Sequence, residues 1–141
     1  MTSPGNFKTY KQRGEWVELL FMTRAAERGF NVSKPFGDST RYDVSVENEG
    51  RFRRVQVKST SAAHGDEGFV CTLKRTGIAY YRLEEVDFFA LYVVPEDVWY
   101  ILPAAVVLRL ASNIRLAPQD KKQKYHRYIE AWNLMRRKER K

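Results

Sequence analysis

The chain has 141 residues, 43% apolar and 13% aromatic, enough apolar side chain at this length for one domain with a closed core. Charged residues make up 30%, the longest apolar run (101–108) contains Pro103, and the first thirteen residues hold Lys8, Lys11 and Arg13 but no apolar stretch. No membrane span or secretory signal is therefore expected, and a cytoplasmic location is. Cys71 is the single cysteine, which excludes an internal disulfide and a cysteine-rich zinc site.

In chain order, Tyr10 to Arg28 is rich in Leu, Met, Ala and Glu, and Gly29 follows as a stop, so a helix is predicted. Phe30 to Val32 reads as a short strand ended by Pro35 and Gly37. Tyr42, Val44 and Val46 alternate with Asp43 and Ser45, and Val55 and Val57 alternate with Gln56 and Lys58. With Asn48-Glu49-Gly50 between them, these two strands are expected to form a hairpin. Ser61 to Gly68 is small and polar, a mobile loop on this reading. Phe69 to Leu73 is a third strand, and the apolar run Phe88 to Val94 fits a strand covered on both faces. Pro95-Glu96-Asp97 turns into a further strand, Val98 to Leu102, and a short helix starts at Pro103. The order implies an α/β (α+β) domain with a mixed central β-sheet flanked by helices.

The net charge is +8, and it is unevenly placed: residues 119–141 hold nine Lys or Arg against three Asp or Glu. Tyr125, Tyr128, Ile129, Trp132 and Met135 recur there at helical spacing. Residues 1–115 are thus read as the core, and 116–141 as a basic amphipathic C-terminal helix. That helix either packs on the same domain or serves as an arm for DNA or oligomer contacts. The clustered charge suits a polyanionic partner, because each Lys or Arg on a phosphate releases condensed counterions.

Candidate chemistry centres on four side chains. Glu18 sits in an almost wholly apolar part of the first helix, with Glu15 three residues earlier on the same side. A carboxylate there must reach water, meet a cation or take up a proton. Gln56 and Lys58 share one face of their strand, and the hairpin can set Asp43 beside them. Oxygen ligands of this kind suit a hard cation such as Mg²⁺, and a neighbouring Lys can steady charge on a phosphate. Alternation alone leaves open whether this is a site or merely the wet face of a hairpin. His64 and His126 lack metal-ligand spacing with Cys71, Cys71 itself reads as a packing residue, and no Gly-rich phosphate loop occurs. Lys74, Arg75, Tyr80 and Tyr81 carry either groove contacts or ordinary solvation and packing.

Asp43 followed by Gln56-Val57-Lys58 resembles the PD-(D/E)xK nuclease superfamily, in the variant with Gln for the second acid and with Tyr42 where the motif has proline. Gly14-Glu15 with Glu18, then Gly29-Phe30, Tyr42-Asp43-Val44 and Gln56-Val57-Lys58, is similar to archaeal Holliday-junction resolvases. It is more similar still to the small homing endonucleases of group I introns that use this fold. Residues 86–92 and Trp99 to Pro103 resemble that branch too, so the likeness spans about residues 7–108. The resemblance implies a restriction-endonuclease-like core. It implies a metal-dependent DNA endonuclease with Asp43, Gln56, the Val57 carbonyl and Glu18 as ligands of Mg²⁺, Mn²⁺ substituting, and Lys58 as the catalytic lysine. Glu15 would support Glu18, and Ser39, Arg41, Ser59 and Thr60 would touch the DNA backbone. Double-stranded DNA is the expected substrate, cut by a homodimer or homotetramer, since one chain carries one site. The alternatives are a Holliday-junction resolvase-like enzyme, an inactive DNA-binding module of the same fold and, last, a structural or interaction domain.

Overall fold

The computed structural model describes residues 6–37, 39–63, 65–73, 84–110 and 112–136. Helix α1 (Tyr10–Glu27) begins where the Thr9 side chain accepts a hydrogen bond from Gln12 N at 3.0 Å. It ends at Gly29, whose φ of 89° lets Gly29 N and Phe30 N turn back to the carbonyls of Ala26 and Ala25. Strands β1 (Asn31–Ser33), β2 (Val44–Asn48) and β3 (Arg51–Thr60) form an antiparallel meander. Glu49 and Gly50, both at positive φ, make the predicted β2–β3 turn.

Strand β4 (Phe69–Thr72) leaves this sheet and pairs with β7 (Asn113–Leu116) in a separate two-stranded ribbon. Strand β5 (Phe88–Val93) runs parallel to β3, and β6 (Val98–Pro103) pairs antiparallel with β5. The main sheet has the order β1-β2-β3-β5-β6 and is mixed, as expected. All six residues of β5 are buried, which explains its unbroken apolar sequence. Helix α2 (Ala104–Val107) follows Pro103. Among the described residues no helix is long and apolar enough to cross a membrane.

Each face of the sheet has its own core. On one face Val44, Val46, Val55, Val57 and Ala90 pack against Val17, Phe21 and Ala25 of α1, together with Trp99, Trp132 and Met135. On the other, Phe89, Leu91, Tyr100 and Leu102 pack against α2, the β4–β7 ribbon, Tyr125 and Tyr128.

The segment after residue 116 departs from the predicted continuous helix. It forms two short 3₁₀ turns, His126–Tyr128 and Trp132–Arg136, separated by Glu130 at φ 51°. The cause is the exposed edge of β6. Glu130 N donates to the Trp99 carbonyl at 2.7 Å, the Glu130 carboxylate accepts from Trp99 N at 2.9 Å, and Ile129 bridges to Tyr100. Edge pairing satisfies strand groups that a helix would leave open. The chain therefore wraps around β6, burying Tyr125 and Tyr128 on one face of the sheet and Trp132 and Met135 on the other. Trp132 stacks on Phe21 with centroids 5.4 Å apart and meets Trp99 edge-on at 6.1 Å. Trp132→Ala is expected to cost about 3–5 kcal/mol of folding stability, as for other buried large-to-small changes, measured by urea unfolding.

Strand β7, absent from the sequence reading, completes the ribbon with Ile114 and Leu116 buried beneath it. The polar stretch 61–68, read as a mobile loop, contains a 3₁₀ turn at Gly65–Glu67 and a bridge from Ala63 to Phe69. His64, Lys74, Arg75, Tyr80 and Tyr81 lie outside the described residues.

Candidate active site

The site forms where β2 and β3 part. Their regular register ends at Val44 opposite Val55, yet Asp43 N also donates to the Val55 carbonyl at 3.0 Å. Two residues thus oppose one, a bulge that re-aims the Asp43 side chain. Its Oδ2 accepts the Val57 N–H at 2.9 Å, taking the place of the next backbone rung. In an extended strand a residue's N–H and C=O point to the same edge, so the Val57 carbonyl turns toward the Asp43 side as well.

Gln56 and Lys58 lie opposite Phe89 and Leu91 of β5, on the face away from α1. Gln56 is only 7% exposed, and among the described residues its Oε1 accepts no hydrogen bond. A buried amide oxygen without a donor is costly, and a cation would satisfy it. Glu18, half-buried on α1, faces Asp43 closely enough to raise its pKa and forms an ion pair with Lys34.

Burial lifts the Asp43 carboxyl to about 6. The Val57 N–H opposes the shift, Glu18 adds to it, and Lys58 and Lys34 oppose it. Burial pulls the Lys58 ammonium below the usual lysine range, with Asp43 acting the other way. Cys71 is buried, and its thiol is pushed up to about 12 by burial, so it stays neutral as a packing group.

Asp43 therefore stands within electrostatic reach of Lys58 and Glu18 and is bonded to the Val57 backbone, through a bulge rather than simple alternation, while Gln56 shares the Lys58 face of β3. Among the described residues no three His, Cys, Asp or Glu side chains gather as a metal-holding group. The Asp43 and Glu18 carboxylates, the Val57 carbonyl and the orphaned Gln56 amide oxygen nonetheless supply the donor types that a hard divalent cation takes.

The remaining candidates are scattered. Glu15 and Ser39 are exposed, and Arg41 pairs with Glu85 at 3.0 Å. The Ser59 hydroxyl accepts a long, 3.4 Å hydrogen bond from Arg13. Thr60 is largely buried: its hydroxyl donates to the Val70 carbonyl at 2.6 Å and accepts from Ala62 N at 3.1 Å, so it ties β3 to β4 at the edge of an open cavity beside Lys58. Lys34 was missed, since nothing in the sequence shows that the stretch after β1 folds back to Glu18. Arg13 was missed because its serine partners lie 46 and 48 residues away.

No curated protein matches the chain. A solved structure of a bacterial homing endonuclease, I-Ssp6803I, is similar to it at 31% identity, with a TM-score of 0.81 over 90% of this chain and 93% of that one. The restriction-endonuclease-like core is thereby shown for this fold. The model of the PD-(D/E)XK endonuclease family matches residues 8–135, extending the likeness through the wrapped C-terminal segment beyond residue 108. On that match, this chain belongs to the PD-(D/E)XK endonuclease family.

Proposed function

We propose that the protein is a Mg²⁺-dependent, site-specific endodeoxyribonuclease of the homing type, acting inside the cell as a homo-oligomer on double-stranded DNA. The observation that carries the metal dependence is the buried Gln56 Oε1, unpartnered among the described residues, one residue before the Val57 N–H that holds the Asp43 carboxylate. These groups, with Glu18, would hold the cation. When bound, it supplies a Lewis acid for the phosphate oxygens and makes water a better nucleophile. The Asp43 side chain is fixed by the Val57 N–H, so it needs no reordering to act as a ligand. Lys58, held beside Asp43 in a partly desolvated position, orients the attacking water or neutralises charge gathering on the scissile phosphate. The homing role rests on the likeness to I-Ssp6803I, and the oligomer on the need for two sites to cut both strands.

A plasmid-nicking assay with Mg²⁺ or Mn²⁺ tests the reaction. Lys58→Ala is expected to slow nicking by about 10²–10³-fold with folding intact. If the parent binds DNA without cutting it, the chain is a binding module. If parent, Lys58→Ala and Asp43→Ala cut equally, the site assignment is wrong. Preference for a four-way junction over a linear duplex would move the role from homing to resolution.

A further inference from the structure

Beside Lys58, on the side facing the start of α1, lies an open cavity of about 430 Å³. Arg13, Gly14, Ser59 and Ser61 line it, and Tyr10, 91% exposed, stands at its mouth. Its size falls within the roughly 300–1,000 Å³ of small-ligand pockets. Among the described residues no carboxylate lines it, whereas Arg13 and Lys58 bring two cations.

Two features are unexplained by folding alone. Arg13 donates to Ser61 at 3.1 Å and weakly to Ser59, yet its Nε is buried with no partner among the described residues. Gly14 lies inside α1 at ordinary helical φ, and a Cβ built there would meet nothing within 4 Å. A glycine inside a helix weakens it relative to alanine, and no close packing requires this one. What the missing side chain does leave is a bare helix flank along the cavity.

Resting on the nuclease reading above, we infer that this cavity is a subsite for the sugar–phosphate backbone of the cleaved strand, next to the scissile phosphate. Arg13 is the phosphate contact, oriented by the Ser61 and Ser59 hydroxyls. Gly14 keeps the groove wide enough for the deoxyribose, and the Tyr10 ring flanks the strand where it leaves. Lys58 belongs to both the subsite and the catalytic cluster, so a strand seated here runs directly into the reaction centre.

The test is DNA binding by the full-length protein in EDTA, followed by fluorescence anisotropy over a salt series with a labelled duplex. Arg13→Gln is expected to weaken binding several-fold and to lower the slope of log affinity against log salt by about one, the signature of one lost phosphate contact. Gly14→Leu is expected to weaken binding comparably with little change in slope, and Gly14→Ala to raise the melting temperature. The Gly14 variants keep the test open should Arg13→Gln misfold. If Arg13→Gln folds and it and Gly14→Leu both bind with the parent's affinity and slope, the subsite is refuted. A parent that shows these binding effects but nicks no plasmid overturns the proposed reaction and leaves the subsite standing.

Discussion

Asp43→Asn is expected to abolish DNA cleavage while raising the melting temperature at pH 8. The carboxyl titrates near 6 in the fold, against 3.8 for a free aspartate, chiefly because it is buried. An acid whose pKa is raised by folding stabilises the folded state only where it is protonated there. Stability is therefore lost as pH rises from about 4 through 6, by an amount on the order of 3 kcal/mol for the full shift. Asparagine keeps an oxygen for the Val57 N–H and has no charge to bury, so the variant recovers much of that loss at pH 8. Its advantage over the parent should shrink toward pH 4 and vanish below about pH 3, where Asp43 is neutral in both states. Activity should fall by about 10³-fold or more, because the central anionic ligand is gone. Added Mg²⁺ should raise the parent's melting temperature at pH 8, progressively less below pH 6, and leave the variant unmoved. Thermal melts from pH 4 to 8, with and without Mg²⁺, decide it. A variant that melts below the parent at pH 8 would show that the carboxylate is held for stability.

Gln56→Glu should act in the opposite sense on metal and fold. The amide sits 7% exposed with its oxygen unpartnered among the described residues, one residue before the Val57 N–H that holds the buried Asp43 carboxyl. A second carboxylate there adds like-charge repulsion and further desolvation. The metal-free protein should lose about 1–3 kcal/mol at pH 8, with Asp43 pushed still higher. Divalent affinity should rise about tenfold, since ligand charge sets the strength of hard-cation sites. Gln56→Leu removes the orphaned oxygen, so it should leave the metal-free fold as stable as the parent or more so while losing metal affinity. Calorimetric titration with Mn²⁺ and paired melts measure both effects. If Gln56→Glu binds Mn²⁺ no better than the parent, the amide does not face the cation.

The sequence displayed most of the sheet because its strands are simple on their own terms. Val44 pairs with Val55 across a hairpin whose turn residues are local, Val46 and Val57 join them in one core, and β5 is buried on both sides, so its apolar run has one reading. The end of α1 was equally plain, since Gly29 carries the positive φ that stops it. Asp43, Gln56, Lys58 and Glu18 could be named from the family likeness, but not how they meet. The bulge at Asp43 depends on the Val55 carbonyl across the strand gap, which no periodicity records. The C-terminal segment misled for a related reason. Tyr125, Tyr128, Trp132 and Met135 do recur at helical spacing, but the open edge of β6 captures Glu130 and splits the run between two cores. Lys34 and Arg13 join the site through contacts that exist only once the chain has folded.

The wrapping of that segment around β6 has a bearing on how the protein is made. The helix that carries Glu18 packs Phe21 against Trp99 and Trp132, both far later in the chain. A nascent chain on the ribosome must extrude residue 132 before that helix is fully seated. Until then the helix bearing Glu18 is held by the β2–β3 valines and Trp99, with one wall of the Phe21 pocket still missing.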